Sequence, residues 1–122
     1  MQIYCEGIGR IKLNFLPVSH LHTLPSFGFI FESEEKRCYY SGDANDLPES
    51  VQNDLEKGKL NIIYQDTCGL DYDGNAHLSL KKLCEVIPEN LRKRIYCIHH
   101  DSFLDVEKVQ KLGFNLPEIY NR

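Results

Sequence analysis

The chain has 122 residues, is 42% hydrophobic and 26% charged, and carries a formal net charge of −4, which is the size and make-up of one globular domain spanning residues 1–122. The acidic balance argues against a broad nonspecific nucleic-acid surface, since neutralising phosphates needs clustered Lys and Arg. No apolar run approaches the roughly 18 residues of a membrane span, and MQIYCEGIGR has neither a basic nor an apolar leader region, so a cytoplasmic protein is expected.

Residues that favour strands cluster in the first forty positions: Gln2 to Cys5, Ile11 to Val18, Phe27 to Glu32 and Arg37 to Tyr40. Gly7 to Gly9, the HTLPS stretch and the SEEK turn separate them, and short turns imply antiparallel pairing. In PESVQNDLEKG, Pro48 stands near the start of a short helix and Gly58 just past its end. LNIIYQDT is a compact apolar run closed by a polar pair, the pattern of a buried strand that opens onto a site. After the loop CGLDYDGNA, residues Leu80, Leu83, Cys84 and Ile87 fall on one helical face and predict a helix over 77–87, stopped by Pro88. IYCIHH predicts another strand, FLDVEKVQKL a helix terminated at Gly113, and FNLPEIY a closing strand.

A β-meander followed by strand and helix alternation predicts an α/β (α+β) chain, one mixed sheet with helices on one face. Ile, Leu, Phe and Tyr are too frequent in the strands for both sides to be wet, so the other face requires a covering layer. Five cysteines, an odd number without a C-x-x-C pair, suggest reduced packing thiols, not a disulfide framework or a cysteine zinc site. The basic residues Lys81, Lys82, Arg92, Lys93 and Arg94 read as a solvated helix face and loop.

Three polar clusters occur at strand ends or helix starts: Ser41-Gly42-Asp43, Ala76-His77-Leu78-Ser79 and His99-His100-Asp101. Loops at such ends converge side chains from distant parts of a chain. Singly, Asp43 is a turn former or helix cap, His77 a residue that precedes a helix, and His99 a strand-end histidine bonded to backbone. Together, carboxylate and imidazole are the donors that zinc, manganese or iron take from a protein, and imidazole is the usual acid or base near neutral pH.

In this order the clusters resemble the C-terminal half of the metallo-β-lactamase superfamily, most closely its ribonuclease Z-like and cyclic-nucleotide phosphodiesterase-like branch. PVSHLHTLPSFGFIFE matches a histidine segment before a Gly-aromatic strand, and YYSGDAN the turn that carries a metal-bridging aspartate. NAHLSLKKLCEVIP matches the histidine ahead of a helix, and IYCIHHDS the strand that ends in a metal-binding histidine. The resemblance implies Asp43 and His99 as metal ligands, with His100 as the alternative to His99, and Asp43 and His77 as catalytic residues. It begins halfway through the family domain. An H-x-H-x-D-H motif is not spelled here, and His20 and His22 lack the following Asp-His. Gln65 stands where relatives often carry histidine, so Gln65 and Asp66 are expected outside the direct ligand set.

The resemblance implies half of an αββα sandwich, and a half whose bare sheet associates with a complementary N-terminal half or a second copy. The activity implied is metal-dependent hydrolysis of a phosphodiester, a cyclic nucleotide or RNA, with zinc or manganese. β-Lactam hydrolysis is disfavoured, because YYSGDAN offers only Asp after the bridging turn. A noncatalytic binding or dimerisation module is the alternative.

Overall fold

The computed structural model describes residues 1–7, 9–21, 24–99 and 101–117. His22, His100 and the last part of the expected closing strand lie outside the described residues. In chain order the elements are β1 (Gln2–Cys5), β2 (Gly9–Leu21), β3 (Leu24–Glu32), β4 (Arg37–Tyr40), α1 (Glu49–Glu56), β5 (Ile62–Cys68), β6 (Leu78–Ser79), α2 (Leu80–Val86), a 3-10 helix (Glu89–Arg94), β7 (Ile95–Ile98) and α3 (Val106–Lys111). Strands β1 to β4 form an antiparallel meander. From β4 onward the pairing is parallel: β4 with β5, β5 with β7, and the last two residues of β5 with β6. One mixed sheet with its helices packed against it matches the fold expected from the sequence.

Alternation along the strands sorts side chains to two faces. Ile30, Tyr39, Ile63, Ile95 and Cys97 form one core with Val51 and Leu55 of α1, Leu83 of α2 and Val109 of α3. On the opposite face the register aligns Phe15, Phe29, Tyr40, Tyr64 and Tyr96 across five strands. Neighbouring rings lie 5.3 Å apart for Phe29–Tyr40 and for Tyr64–Tyr96, while Phe15 stays 55% exposed. No described element covers this aromatic row.

Local chemistry explains the boundaries. Pro48 precedes α1 and Gly58 follows it with φ 75°, the left-handed conformation that glycine adopts without a Cβ clash. Helix α2 starts later than expected, at Leu80, because Ser79 caps it by accepting from Lys82 N at 3.1 Å; His77 and Leu78 are left in the extended approach to it. Asp105 likewise caps α3, accepting from the backbone of Glu107 and Lys108, so Phe103 falls outside the helix and is 64% exposed. The closing strand reduces, among the described residues, to a bridge between Tyr96 and Asn115.

Arg92, one of the clustered basic residues, has a structural task. Its guanidinium donates to the carbonyls of Cys84, Ile87 and Leu112, and it lies 5.4 Å from the centre of the Phe114 ring. It thus ties the ends of α2 and α3 together where helix carbonyls lack partners. Among the described residues no helix is long and apolar enough to cross a membrane.

Candidate metal centre

Three neighbouring parallel strands, β4, β5 and β7, end on the same edge of the sheet, and each delivers one polar group there. Beyond β4, Ser41 is buried and joins two strands: its N–H donates to Tyr64 O at 2.9 Å, and its Oγ accepts from Asp66 N at 2.8 Å. Gly42 then turns with φ 63°, a left-handed conformation that glycine adopts without a Cβ clash. Asp43 follows, its side chain 58% exposed.

Asp66, near the end of β5, is fully buried. Its Oδ2 accepts from Ala44 N at 3.0 Å and from His77 Nδ1 at 2.5 Å. Its Oδ1 is buried with no hydrogen-bond partner. Burial pushes the Asp66 carboxyl above its usual value of 3.8, and the hydrogen bonds from His77 and Ala44 pull the other way.

His99 follows β7 directly, and the Asp66↔Ile98 register brings it beside Asp66. It has φ 56°, a region few non-glycine residues occupy and one that clusters at functional sites. Its Nδ1 is 3.2 Å from Asp43 Oδ1 and 3.9 Å from the unpartnered Asp66 Oδ1. The other nitrogen, Nε2, is 3.3 Å from the Tyr40 hydroxyl. Donor atoms of Asp43, Asp66 and His99 all lie within 4.8 Å of one another. Two carboxylates and one imidazole suit zinc or manganese, and three protein donors are the usual number when a position is kept open for chemistry. An unpartnered buried carboxylate oxygen and an imidazole whose second nitrogen is held by a hydroxyl fit such an ion.

His77 stands beside this cluster and shares its buried carboxylate. Its backbone N–H donates to Asn75 Oδ1 at 3.0 Å, fixing the approach to β6. Its ring lies 5.3 Å from that of His20, whose Nδ1 donates to Ala76 O at 2.7 Å.

The structure therefore brings Asp43 and His99 into direct contact and links His77 to them through Asp66. Asp66 had been expected outside the ligand set; it sits among the donors instead. A polar pair closing a buried strand was the available signal, but only the β5–β7 register reveals that Asp66 faces His99. Tyr40 carried no signal of its own.

Residues 3–115 match the family model described as Anti-Pycsar protein Apyc1. Among solved structures, the isothiocyanate hydrolase from Delia radicum gut bacteria superposes with a TM-score of 0.59 at 11% identity, over 95% of this chain and 53% of that one. The metallo-β-lactamase fold protein YhfI from Bacillus subtilis gives 0.58 at 12% identity, over 96% and 49%. The short form of human tRNase Z gives 0.50 at 14% identity, over 83% and 39%. These likenesses establish a shared fold, and the chain spans about half the length of the first two of these solved structures. No curated protein matches it in sequence.

Proposed function

Because the chain belongs to the Anti-Pycsar protein Apyc1 family, we propose that it is the metal-holding half of a metal-dependent phosphodiesterase. The ligands of the family domain's other half would come from a segment or chain outside these residues. The substrate class is a phosphodiester, a cyclic nucleotide or RNA, and the human relative named a tRNase supports that chemistry. One observation carries the reading: Asp66 keeps one carboxylate oxygen buried and unpartnered beside Asp43 and His99, while its other oxygen holds His77.

Asp43, Asp66 and His99 would hold the ion, zinc before manganese on donor chemistry. A divalent ion bound there supplies Lewis acidity toward a phosphoryl oxygen and acidifies water. In the reaction, a water oxygen bonds to phosphorus, the ester P–O bond breaks and the leaving oxygen takes a proton. His77 suits that last transfer. Its Nδ1–H is committed to Asp66, which orients the ring, so the opposite nitrogen is available to the leaving group. The Tyr40 hydroxyl orients His99 in the same manner.

Elemental analysis of the purified chain, followed by mixing with a polypeptide bearing the H-x-H-x-D-H half, tests the reading. Stoichiometric zinc and phosphodiester cleavage by the pair are expected; no metal retention and no activity in the pair overturn it.

The uncovered aromatic row favours a second reading, a noncatalytic module that dimerises through this sheet face. Light scattering combined with metal analysis separates the two: a stable homodimer without metal supports the module, and a metal-loaded species supports the enzyme half.

A further inference from the structure

The loop that follows His99 is fastened to the end of β5 by one side chain. Asp101, two residues beyond His99, accepts the Gly69 N–H on its Oδ1 at 3.0 Å. The bond spans 32 positions of sequence, whereas an Asp that only forms a turn bonds backbone close to itself. The turn of the loop is closed separately, by Leu104 N donating to Asp101 O at 3.3 Å, and Leu104 is buried in the core. Gly69 is fitted to this arrangement. A Cβ there would meet Phe103 O at 2.2 Å and Leu104 N at 2.6 Å, so the two backbones lie against each other and a side chain is excluded.

We propose that Asp101 is a positioning residue for the metal centre: by holding the Gly69 N–H it fixes the loop so that His99 keeps its left-handed backbone and aims Nδ1 at Asp43 and Asp66. The role given to it rests on the metal-site reading. His99 has φ 56°, a conformation that a residue with a Cβ keeps only where its surroundings impose it. Before His99 the backbone is fixed by β7, through the Asp66↔Ile98 register. After it the backbone is fixed by Asp101. Both restraints refer to one strand, since Asp66 lies in β5 and Gly69 directly follows it.

Stability is not what the bond supplies. Gly69 is exposed, so water replaces a lost acceptor there at little cost, and what Asp101 adds is location. Among the described residues, Asp101 is not one of the converging donors, so it acts through His99 and not on the ion. His77 is placed independently. Asn75 Nδ2 donates to Leu70 O at 2.9 Å and to Cys68 Sγ at 3.1 Å, while Asn75 Oδ1 accepts from His77 N. His77 therefore serves as an internal control for the effect of Asp101.

The test uses the 122-residue chain and its variants Asp101→Ala and Asp101→Asn, the second of which keeps a carbonyl acceptor for the Gly69 N–H. In the metal-free chains, NMR follows the three-bond HN–Hα coupling of His99, which reports φ, together with the exchange rate of the Gly69 amide and the amide shift of His77. Asp101→Ala should move the His99 coupling toward that of extended backbone and speed Gly69 exchange about tenfold, the equivalent of one hydrogen bond. The His77 amide should stay in place, and Asp101→Asn should restore both parent values. Zinc titrated calorimetrically into the same samples should bind Asp101→Ala about tenfold more weakly than the parent and Asp101→Asn as the parent does. A parent that fails to bind zinc sinks the metal-site reading alone, and the His99 coupling still decides whether Asp101 positions that residue. A coupling unchanged in Asp101→Ala, a change that spreads to His77 or that Asp101→Asn does not reverse, or an undiminished zinc affinity in Asp101→Ala overturns the assignment.

Discussion

Replacing Asp66 by Asn is expected to stabilise the metal-free chain by about 1 kcal/mol near neutral pH while removing its response to zinc. The gain arises at Oδ1, which is buried and unpartnered; a buried charged oxygen left unpaired costs about 1–3 kcal/mol. The loss arises at Oδ2, whose bonds from His77 and Ala44 become neutral, returning about 1 kcal/mol because charge-assisted bonds are roughly twice as strong as neutral ones. For a chain of this length the net 1 kcal/mol is about 4 °C in Tm. The pH dependence has a definite sign. Burial holds the folded carboxyl above its usual 3.8, so the stability associated with the protonated form is complete below that value and is lost as pH rises through the raised one. Asn retains the neutral form throughout, and its advantage should therefore vanish near pH 3.5 and grow toward neutrality. Differential scanning calorimetry with EDTA, and again with zinc at a hundredfold excess over Kd, where binding adds about 2.7 kcal/mol to the parent, gives both numbers. A variant that melts several degrees below the parent at pH 7 in EDTA, with an undiminished zinc shift, would refute the reasoning.

Asp43→Ala and His99→Ala should each weaken zinc binding by at least tenfold in calorimetric titration while changing metal-free stability by less than about 0.5 kcal/mol, since both side chains are substantially exposed. His77→Ala should lower phosphodiester turnover by the reconstituted pair by about 10²–10⁴-fold, the usual contribution of a proton donor, and leave zinc affinity within about tenfold. Gly28→Ala should destabilise the fold by about 1–3 kcal/mol in urea titration, because its Cβ would meet Tyr39 Oη at 2.6 Å and Tyr40 O at 2.8 Å.

The strands were legible because their apolar alternation and turn residues agree; Gln2 to Cys5 and Arg37 to Tyr40 coincide with β1 and β4. Asp43 and His99 were legible because each stands just past such a run. Asp66 was not, since its role depends on β5 and β7 lying side by side in parallel, a contact between segments some thirty positions apart that no local pattern encodes. The start of α2 was misplaced for a smaller reason: Leu80, Leu83, Cys84 and Ile87 fix a helical face but not its first turn, and the Ser79 hydroxyl decides that turn. The place of His20 beside His77 was not legible, because that proximity arises where the β2–β3 hairpin meets the loop before β6.

Asp43, Asp66 and His99 stand at the ends of three neighbouring parallel strands, and their side chains converge until the donor atoms all lie within 4.8 Å of one another, although β5 separates the strands that carry Asp43 and His99. Coordination span is thereby set by side-chain reach over a main-chain frame that stays fixed. Exchanging one cation radius for another is then a matter of side-chain reach, such as Asp43→Glu, with the scaffold left untouched.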